Sequence, residues 1–174
     1  MSHLHLVSCE DSRSRIIQLG EDPKNIFNIG DSHIDEIISG YFIDDKSMRE
    51  ELDLNEDDKI ITLLQHSETT QVEQVKDQIS QTISAINKFI KKYDKYKVIA
   101  IYPCSDPGYM EIVNAIENSE AIFATYKNLE ATVFRALLKS SEVLIGNSSA
   151  GIIEAPYLKT PSINIGSRQR NRIS

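Results

Sequence analysis

Short apolar runs alternate along the chain with stretches in which apolar residues recur every three or four positions. The runs are continuous and rich in β-branched residues, as in Ile60-Ile61-Thr62-Leu63-Leu64. Such runs are typical of strands that are buried on both faces of a parallel sheet. They predict seven strands, at residues 3–8, 26–29, 59–65, 96–102, 121–125, 143–146 and 162–165.

The helical pattern is clearest over residues 72–93, where the apolar positions fall on one stripe. Shorter helices are predicted at 109–118, 130–140 and 150–157, and another begins near Ser8 and Asp11 and ends by Gly20. The acidic segment 44–58 and the Lys- and Tyr-rich segment 88–97 are interpreted as solvated faces or loop edges. The stripe of the longest helix consists of Val72, Val75, Ile79, Ile83, Ile86, Phe89 and Ile90.

Strands that alternate with helices predict a Rossmann-like, doubly wound α/β domain with a parallel sheet. The chain has 174 residues, of which 40% are hydrophobic. That length is sufficient for one full-sized core, so we expect residues 1–174 to form a single domain. The chain enters a strand almost at once and stops soon after another, which suggests a piece of a longer polypeptide.

Charge and composition exclude several classes of partner. The formal net charge is −7, so no basic face for nucleic acid is expected. No apolar run has the length of a membrane span, and the first residues lack the pattern of a signal peptide. Cys9 and Cys104 are far apart and show no metal-ligand spacing, which indicates a reduced, cytoplasmic protein without a metal site.

Four polar clusters follow predicted strands: residues 65–70 (QHSETT), 103–108 (PCSDPG), 146–149 (GNSS) and 166–170 (GSRQR). The carboxyl ends of parallel strands meet at one edge of the sheet, and ligands bind there in open α/β folds. We therefore expect the clusters to form one ligand site.

The cluster at 146–149 has the small residues that let a ligand approach the backbone closely. The free N–H groups after the strand and the hydroxyls of Ser148 and Ser149 would bind an anion. The alternative is a plain capped helix, with Asn147 or Ser148 as the cap. Glu154, further along the predicted helix, is suited to accept from two sugar hydroxyls, and Arg168 would supply charge to a diphosphate.

Two further residues have competing interpretations. His66 ends a buried strand at the expected ligand edge, where it would transfer a proton or donate a hydrogen bond to a charged leaving group. A structural or merely exposed histidine is the alternative. Asp106 lies in an Asp-Pro-Gly sequence, so it is either a turn residue or a ligand contact.

The segments IQLGEDPKNIFNIGDSHID, LLQHSETT, YPCSDPG, LIGNSSAGIIEAP and PSINIGSRQRNR occur in an order that resembles one known family. The chain is similar to the carboxyl-terminal half of the UDP-N-acetylglucosamine 2-epimerases, and more narrowly to the hydrolysing type. The resemblance covers essentially the whole chain. It implies one half of a GT-B-type fold, in which two Rossmann-like domains face a cleft.

The resemblance also implies a ligand and residue roles. The ligand is UDP-N-acetylglucosamine or UDP, with Ser148 and Ser149 at the diphosphate, Glu154 at the ribose and Arg168 near the phosphates. His66 would lie near the sugar. The family flanks the uracil ring at positions that match Leu129 and Phe134, although Phe134 also fits the inner stripe of its helix.

The family reaction removes the C2 proton of the sugar, expels UDP and adds water to the resulting glycal, without a metal or nicotinamide cofactor. The acid–base carboxylates belong mainly to the amino-terminal domain, so that domain of the same polypeptide is the expected partner. The chain alone is expected to fold and to be inactive. Family members commonly associate, which makes a homo-oligomer a further expectation.

Ser67 stands where the family usually has proline, and Gly30-Asp31-Ser32-His33 lacks the proline of the family's Gly-x-Pro stretch. These departures leave the exact sugar open, since diacetamido-sugar 2-epimerases share the same frame. Two other functions are consistent with the pattern: the donor-binding half of a GT-B glycosyltransferase, and a stand-alone module that binds a sugar nucleotide. The segment GSRQRNR favours the epimerases.

Overall fold

The structure is a computed structural model that describes residues 2–170, and it divides after Gly40 into two compact units. The first unit contains two short parallel strands, in which Leu6 lies opposite Phe27. Its elements are β1 (His5–Val7), α1 (Glu10–Gln18), a 3₁₀ turn (Pro23–Asn25), β2 (Ile26–Asn28) and α2 (Ser32–Ile38).

The second unit contains the main sheet and the helices that cover it. Its elements are α3 (Asp45–Glu51), β3 (Lys59–Leu64), a 3₁₀ turn (Val72–Gln74), α4 (Val75–Ile90), β4 (Tyr96–Ile101), α5 (Tyr109–Glu117), β5 (Ile122–Tyr126), α6 (Ala131–Ser140), β6 (Ser141–Gly146), α7 (Ala150–Ile153), α8 (Ala155–Leu158) and β7 (Ser162–Asn164).

The five strands of this sheet are all parallel and run in the order β5-β4-β3-β6-β7. From β3 the chain adds β4 and β5 on one side, and it then returns to place β6 and β7 on the other. The direction of winding therefore reverses between β3 and β6. Such a reversal opens a crevice outside the carboxyl ends of the two strands, where open α/β sheets bind their ligands.

Burial of the strands and of one helix stripe explains why the apolar pattern was informative. Val75, Ile79 and Ile86 of α4 pack in one buried cluster with Val98 of β4 and Ile112 of α5. The strands at the centre of the sheet are covered on both faces, as their continuous apolar runs predict. The predicted α/β fold with a parallel sheet is confirmed.

The acidic segment departs from its interpretation as a solvated face or loop edge. It contains α3, which begins after Asp44, whose side chain accepts a hydrogen bond from the Ser47 N–H at 3.0 Å. Met48 and Leu52 are 0% and 1% exposed. The prediction was wrong at these two positions, because one apolar residue per turn among charged neighbours gives little periodicity.

The helix predicted at 150–157 is instead two short helices, α7 and α8, which meet at Glu154. Pro156 lies in the first turn of α8, where its missing N–H costs least. None of the helices formed by residues 2–170 is both long and apolar enough to cross a bilayer.

Candidate functional site at the sheet reversal

Gly146, the last residue of β6, lies directly opposite Leu64 of β3. Its φ is +144°, and a Cβ at this position would lie 1.9 Å from the carbonyl oxygen of Leu64. The next residue, Asn147, donates its backbone N–H to that same oxygen at 3.2 Å. Only glycine allows both the backbone conformation and the contact. The glycine that opens the GNSS cluster is therefore required for the two strands to join.

Asn147 ties the end of β6 to the residue that follows β3. It is 3% exposed, and its side-chain Oδ1 accepts the backbone N–H of His66 at 2.6 Å. Its Nδ2 donates to the carbonyl oxygen of His66 at 2.9 Å. The carboxamide thus pairs with the His66 backbone as a neighbouring strand would. Asn147, expected at the ligand or as a helix cap, uses its side chain to position His66.

The His66 ring is largely buried, with the residue 8% exposed. Its Nδ1 accepts a hydrogen bond from the backbone N–H of Cys104, in the loop after β4, at 3.3 Å. Burial lowers the pKa of His66 from 6.5 to about 4, the positive charge of Arg168 lowers it too, and the negative charge of Asp106 opposes them. The imidazole is therefore neutral at pH 7.

Two side chains of the loop after β7 converge on the carbonyl oxygen of Asn147. Arg168 donates Nη1 to it at 3.2 Å, and Gln169 donates Nε2 at 2.6 Å. Gln169 is 4% exposed, whereas Arg168 is half-buried. Sequence reasoning did not single out Gln169. No signal marks it, because a glutamine between two arginines normally indicates an exposed loop.

The loop after β3 contacts the loop after β4 and the loop after β7. Glu68 accepts the Ser167 hydroxyl at 2.8 and 3.0 Å, and Gln71 Nε2 donates to the same hydroxyl at 3.1 Å. Ser67 donates its hydroxyl to the carbonyl oxygen of Pro107. The four polar clusters identified in the sequence therefore meet at one edge of the sheet.

The two serines after Asn147 are half-buried and lead into α7. The Ser148 hydroxyl accepts the backbone N–H of Ala150 at 3.3 Å, as a capping residue does. The Ser149 side chain makes no capping hydrogen bond. Glu154 is half-buried at the junction of α7 and α8.

The remaining candidates lie after the two strands on the β4 side of the sheet. Asp106 is half-buried in the loop after β4 and acts on His66 through its charge. Leu129 precedes α6 and Phe134 lies in its first turn, and both are half-buried. Leu129 and Phe134 follow β5, and β5 is separated from β3 by β4. The hydrogen bonds that join residues 65–71, 147 and 167–169 do not involve them.

Within residues 2–170, no three His, Cys, Asp or Glu side chains are placed to hold a metal ion. Groups that keep an N–H or O–H bond for a ligand gather at the sheet reversal: the Ser148 hydroxyl, which accepts from Ala150, the Arg168 guanidinium, which donates to Asn147, and the His66 ring, whose Nδ1 accepts from Cys104. Such a set suits an anionic ligand that carries many acceptor oxygens.

A parallel Rossmann-like sheet whose polar loops gather at the winding reversal defines the class of protein: one half of a GT-B-type fold. The model of the family described as UDP-N-acetylglucosamine 2-epimerase matches residues 1–174, and the chain belongs to that family.

Two curated relatives match nearly all of the chain. The Escherichia coli polysialic acid biosynthesis protein P7 is 35% identical over 178 residues, covering 99% of this chain and 44% of the relative. The Campylobacter jejuni GDP/UDP-N,N'-diacetylbacillosamine 2-epimerase (hydrolyzing) is 33% identical over 180 residues. That match covers 99% of this chain and 45% of the relative. The chain thus spans less than half the length of these relatives.

A solved structure shares the fold. The complex of Staphylococcus aureus MnaA with UDP superposes with a TM-score of 0.65 at 18% identity, covering 97% of this chain and 45% of that one. The resemblance seen in the motifs is therefore confirmed at the level of family and fold.

Proposed function

We propose that this chain is the UDP-binding half of a hydrolysing UDP-N-acetylglucosamine 2-epimerase. The observation that carries the proposal is the convergence of the GNSS turn, His66 and Arg168 at the sheet reversal. The full-length protein would convert UDP-N-acetylglucosamine to N-acetylmannosamine and UDP by elimination and hydration. Family membership favours this function over the donor-binding half of a glycosyltransferase.

The diphosphate would lie against the turn after β6. Because the Ser148 hydroxyl already accepts from Ala150, its own hydrogen is available to donate to a phosphate oxygen. Ser149 would donate beside it. The Arg168 guanidinium is fixed by one hydrogen bond to Asn147 and keeps further N–H groups for the phosphates.

The nucleoside would extend from this point along α7. Glu154, at the end of α7, would accept hydrogen bonds from the two ribose hydroxyls. Leu129 and Phe134 would flank the uracil ring. Asp106 would complete the sugar end of the site from the loop after β4.

The amino-terminal domain of the same polypeptide is the proposed partner, and the first unit offers a surface for it. Leu4, Leu6, Phe27 and Ile29 are 53%, 59%, 49% and 58% exposed. Strand alternation and the pairing of Leu6 with Phe27 place all four on one face of the two-stranded sheet. Parallel sheets are normally covered on both faces, and two strands alone are marginal. The rest of the longer polypeptide would cover this face.

Hydrogen exchange tests this partner directly. Backbone amides of residues 4–7 and 26–29 should exchange more slowly in the full-length protein than in this chain, while amides of β3 and β4 are unchanged. Equal rates in the two proteins would contradict the proposal. A concentration-dependent slowing in the chain alone would point to a homo-oligomer instead.

The sugar and the pathway are proposed from the relatives. The name of P7 connects it with polysialic acid, and the C. jejuni relative is named for a diacetamido sugar. We favour UDP-N-acetylglucosamine and sialic-acid-type biosynthesis, with UDP-N,N'-diacetylbacillosamine as the competing substrate to assay. A cytoplasmic location is consistent with Cys9 and Cys104, which are both free.

Calorimetric titration of the chain tests the nucleotide site. UDP should bind, GDP should bind more weakly, and Glu154→Ala should weaken UDP by roughly tenfold or more, as expected for a lost charged hydrogen-bond acceptor. Glu120→Ala is the matched control, because Glu120 is exposed and precedes β5 at the opposite edge of the sheet. Equal losses in both variants, or no UDP binding, would contradict the assigned site.

The activity is tested on the full-length polypeptide. Incubation with UDP-N-acetylglucosamine should release UDP and N-acetylmannosamine in equal amounts, whereas this chain alone should release neither. Turnover by the chain alone would show that it holds a complete active site. Transfer of the sugar to an acceptor would identify a glycosyltransferase.

A further inference from the structure

The surroundings of the His66 ring determine which of its two nitrogens carries hydrogen. The backbone N–H of Cys104 donates to Nδ1 at 3.3 Å. A backbone N–H cannot accept, so the nitrogen that faces it must present a lone pair. In a neutral imidazole one nitrogen holds the hydrogen and the other the lone pair. The hydrogen therefore belongs on Nε2.

We infer that His66 is held as the neutral Nε2–H tautomer and donates a hydrogen bond to the ligand. Its ring neither takes up a proton nor gives one away. A second proton would have to enter at Nδ1, where it would meet the Cys104 N–H. The charged groups that act on the ring are Arg168, on the loop after β7, and Asp106, on the loop after β4. Burial and Arg168 outweigh Asp106, so the low pKa of His66 agrees with the geometry.

The backbone of His66 is also fixed, and together with the Cys104 N–H at Nδ1 this sets the direction of the Nε2–H bond. Asn147 holds both the N–H and the carbonyl oxygen of His66. The carbonyl oxygen of Asn147 receives Arg168 and Gln169. Asn147 is therefore a positioning residue that sets His66 and Arg168 in a fixed relation, so that both can donate to one anionic group.

The consequence for the reaction rests on the proposed function. In the elimination, a base elsewhere in the polypeptide takes the C2 proton, the C1–O bond breaks, and its electrons leave with UDP as a C1–C2 double bond forms. His66 would stabilise the charge on the departing diphosphate through its Nε2–H bond and would keep its own proton. The C2 proton would not pass through His66.

Nitrogen-15 NMR of the labelled chain tests the tautomer without any ligand. Long-range correlations of the imidazole should show hydrogen on Nε2 at pH 7, and the ring should stay neutral down to pH 5. The signal is assigned by its loss in His66→Gln, and the other three histidines are internal references. Hydrogen on Nδ1, or an imidazolium at pH 7, would overturn the inference even if UDP binding failed.

The donor role is tested by UDP affinity. His66→Gln keeps an N–H group near the position of Nε2 and should bind within about threefold of the wild type, whereas His66→Ala should lose roughly tenfold or more. The ratio of wild-type to His66→Gln affinity should also stay constant from pH 8 to pH 5.5. A ratio that rises as the pH falls would show that His66 becomes charged and would refute the neutral donor. Complete absence of UDP binding would refute the proposed function and leave the NMR result as the test of the tautomer.

Discussion

Substituting alanine for Gly146 tests whether the approach of β6 to β3 builds the site. The added Cβ would lie 1.9 Å from the carbonyl oxygen of Leu64 and 2.5 Å from its carbonyl carbon. Both are backbone atoms of a central strand, so no flexible side chain can move aside. The two strand ends must separate, and the hydrogen bond from Asn147 N to Leu64 O is the first to break.

The expected loss of stability follows from three contributions. A φ of +144° with a Cβ costs ~1–3 kcal/mol. Forcing an extra methyl group into a packed backbone contact costs ~1–3 kcal/mol, and the lost hydrogen bond about 1 kcal/mol. Gly146→Ala should therefore lower the free energy of unfolding by ~3–7 kcal/mol, a large part of the stability of a typical domain.

Gly151→Ala is the matched control, five residues along the same segment. A Cβ at Gly151 would lie 3.5 Å or more from its nearest neighbours, and the residue is helical. Its free energy of unfolding should change by no more than about 1 kcal/mol, in the stabilising direction. Urea denaturation followed by circular dichroism measures both variants. A Gly146→Ala protein within 1 kcal/mol of Gly151→Ala would refute the close-approach argument.

Three other changes have defined outcomes in the same denaturation assay. Lowering the pH from 7 to 5 should destabilise the chain by about 2 kcal/mol through His66. The unfolded ring, with its ordinary pKa of 6.5, takes up a proton that the folded ring, with a pKa of about 4, does not. This part of the pH dependence should vanish in His66→Gln, and its survival there would exclude His66 as the source. Asn147→Ala should cost about 3 kcal/mol, since it leaves the buried N–H and carbonyl of His66 without their partner, and a loss under 1 kcal/mol would mean that water replaces the carboxamide. Thr82→Val should lower the free energy of unfolding by ~1–3 kcal/mol, because the Thr82 hydroxyl donates to Gln65 Oε1 at 2.8 Å and Gln65 is only 1% exposed. An unchanged urea midpoint would contradict this.

The central sheet could be predicted from the sequence because its strands are buried on both faces. The runs at Lys59–Leu64 and Tyr96–Ile101 are apolar for that reason, and the stripe of α4 is regular because one side of the helix covers them. The pattern carries no information about which strands pair. The separate pairing of β1 with β2 therefore had to come from the structure.

The sequence predicted which loops would form the site, but not the hydrogen bonds between them. The rule that polar loops gather at the carboxyl edge predicted that residues near His66, Asn147 and Arg168 would come together. It could not show that the Asn147 carboxamide would bind the His66 backbone, because that bond joins residues 81 positions apart. Gln169 was missed for a related reason, since its burial depends on where the loop after β7 folds.

The sheet reversal explains why so few side chains can organise the site. Without a Cβ at Gly146, β6 comes close enough for Asn147 to take over the pairing of β3 just where the strand ends. The carbonyl oxygen of Asn147 then accepts hydrogen bonds from Arg168 and Gln169. Donors for an anion are thus in place within this half of the fold, while the group that would take the C2 proton is proposed to come from the rest of the polypeptide. Nucleotide binding and turnover should therefore separate experimentally, with the first present in this chain and the second requiring the longer protein.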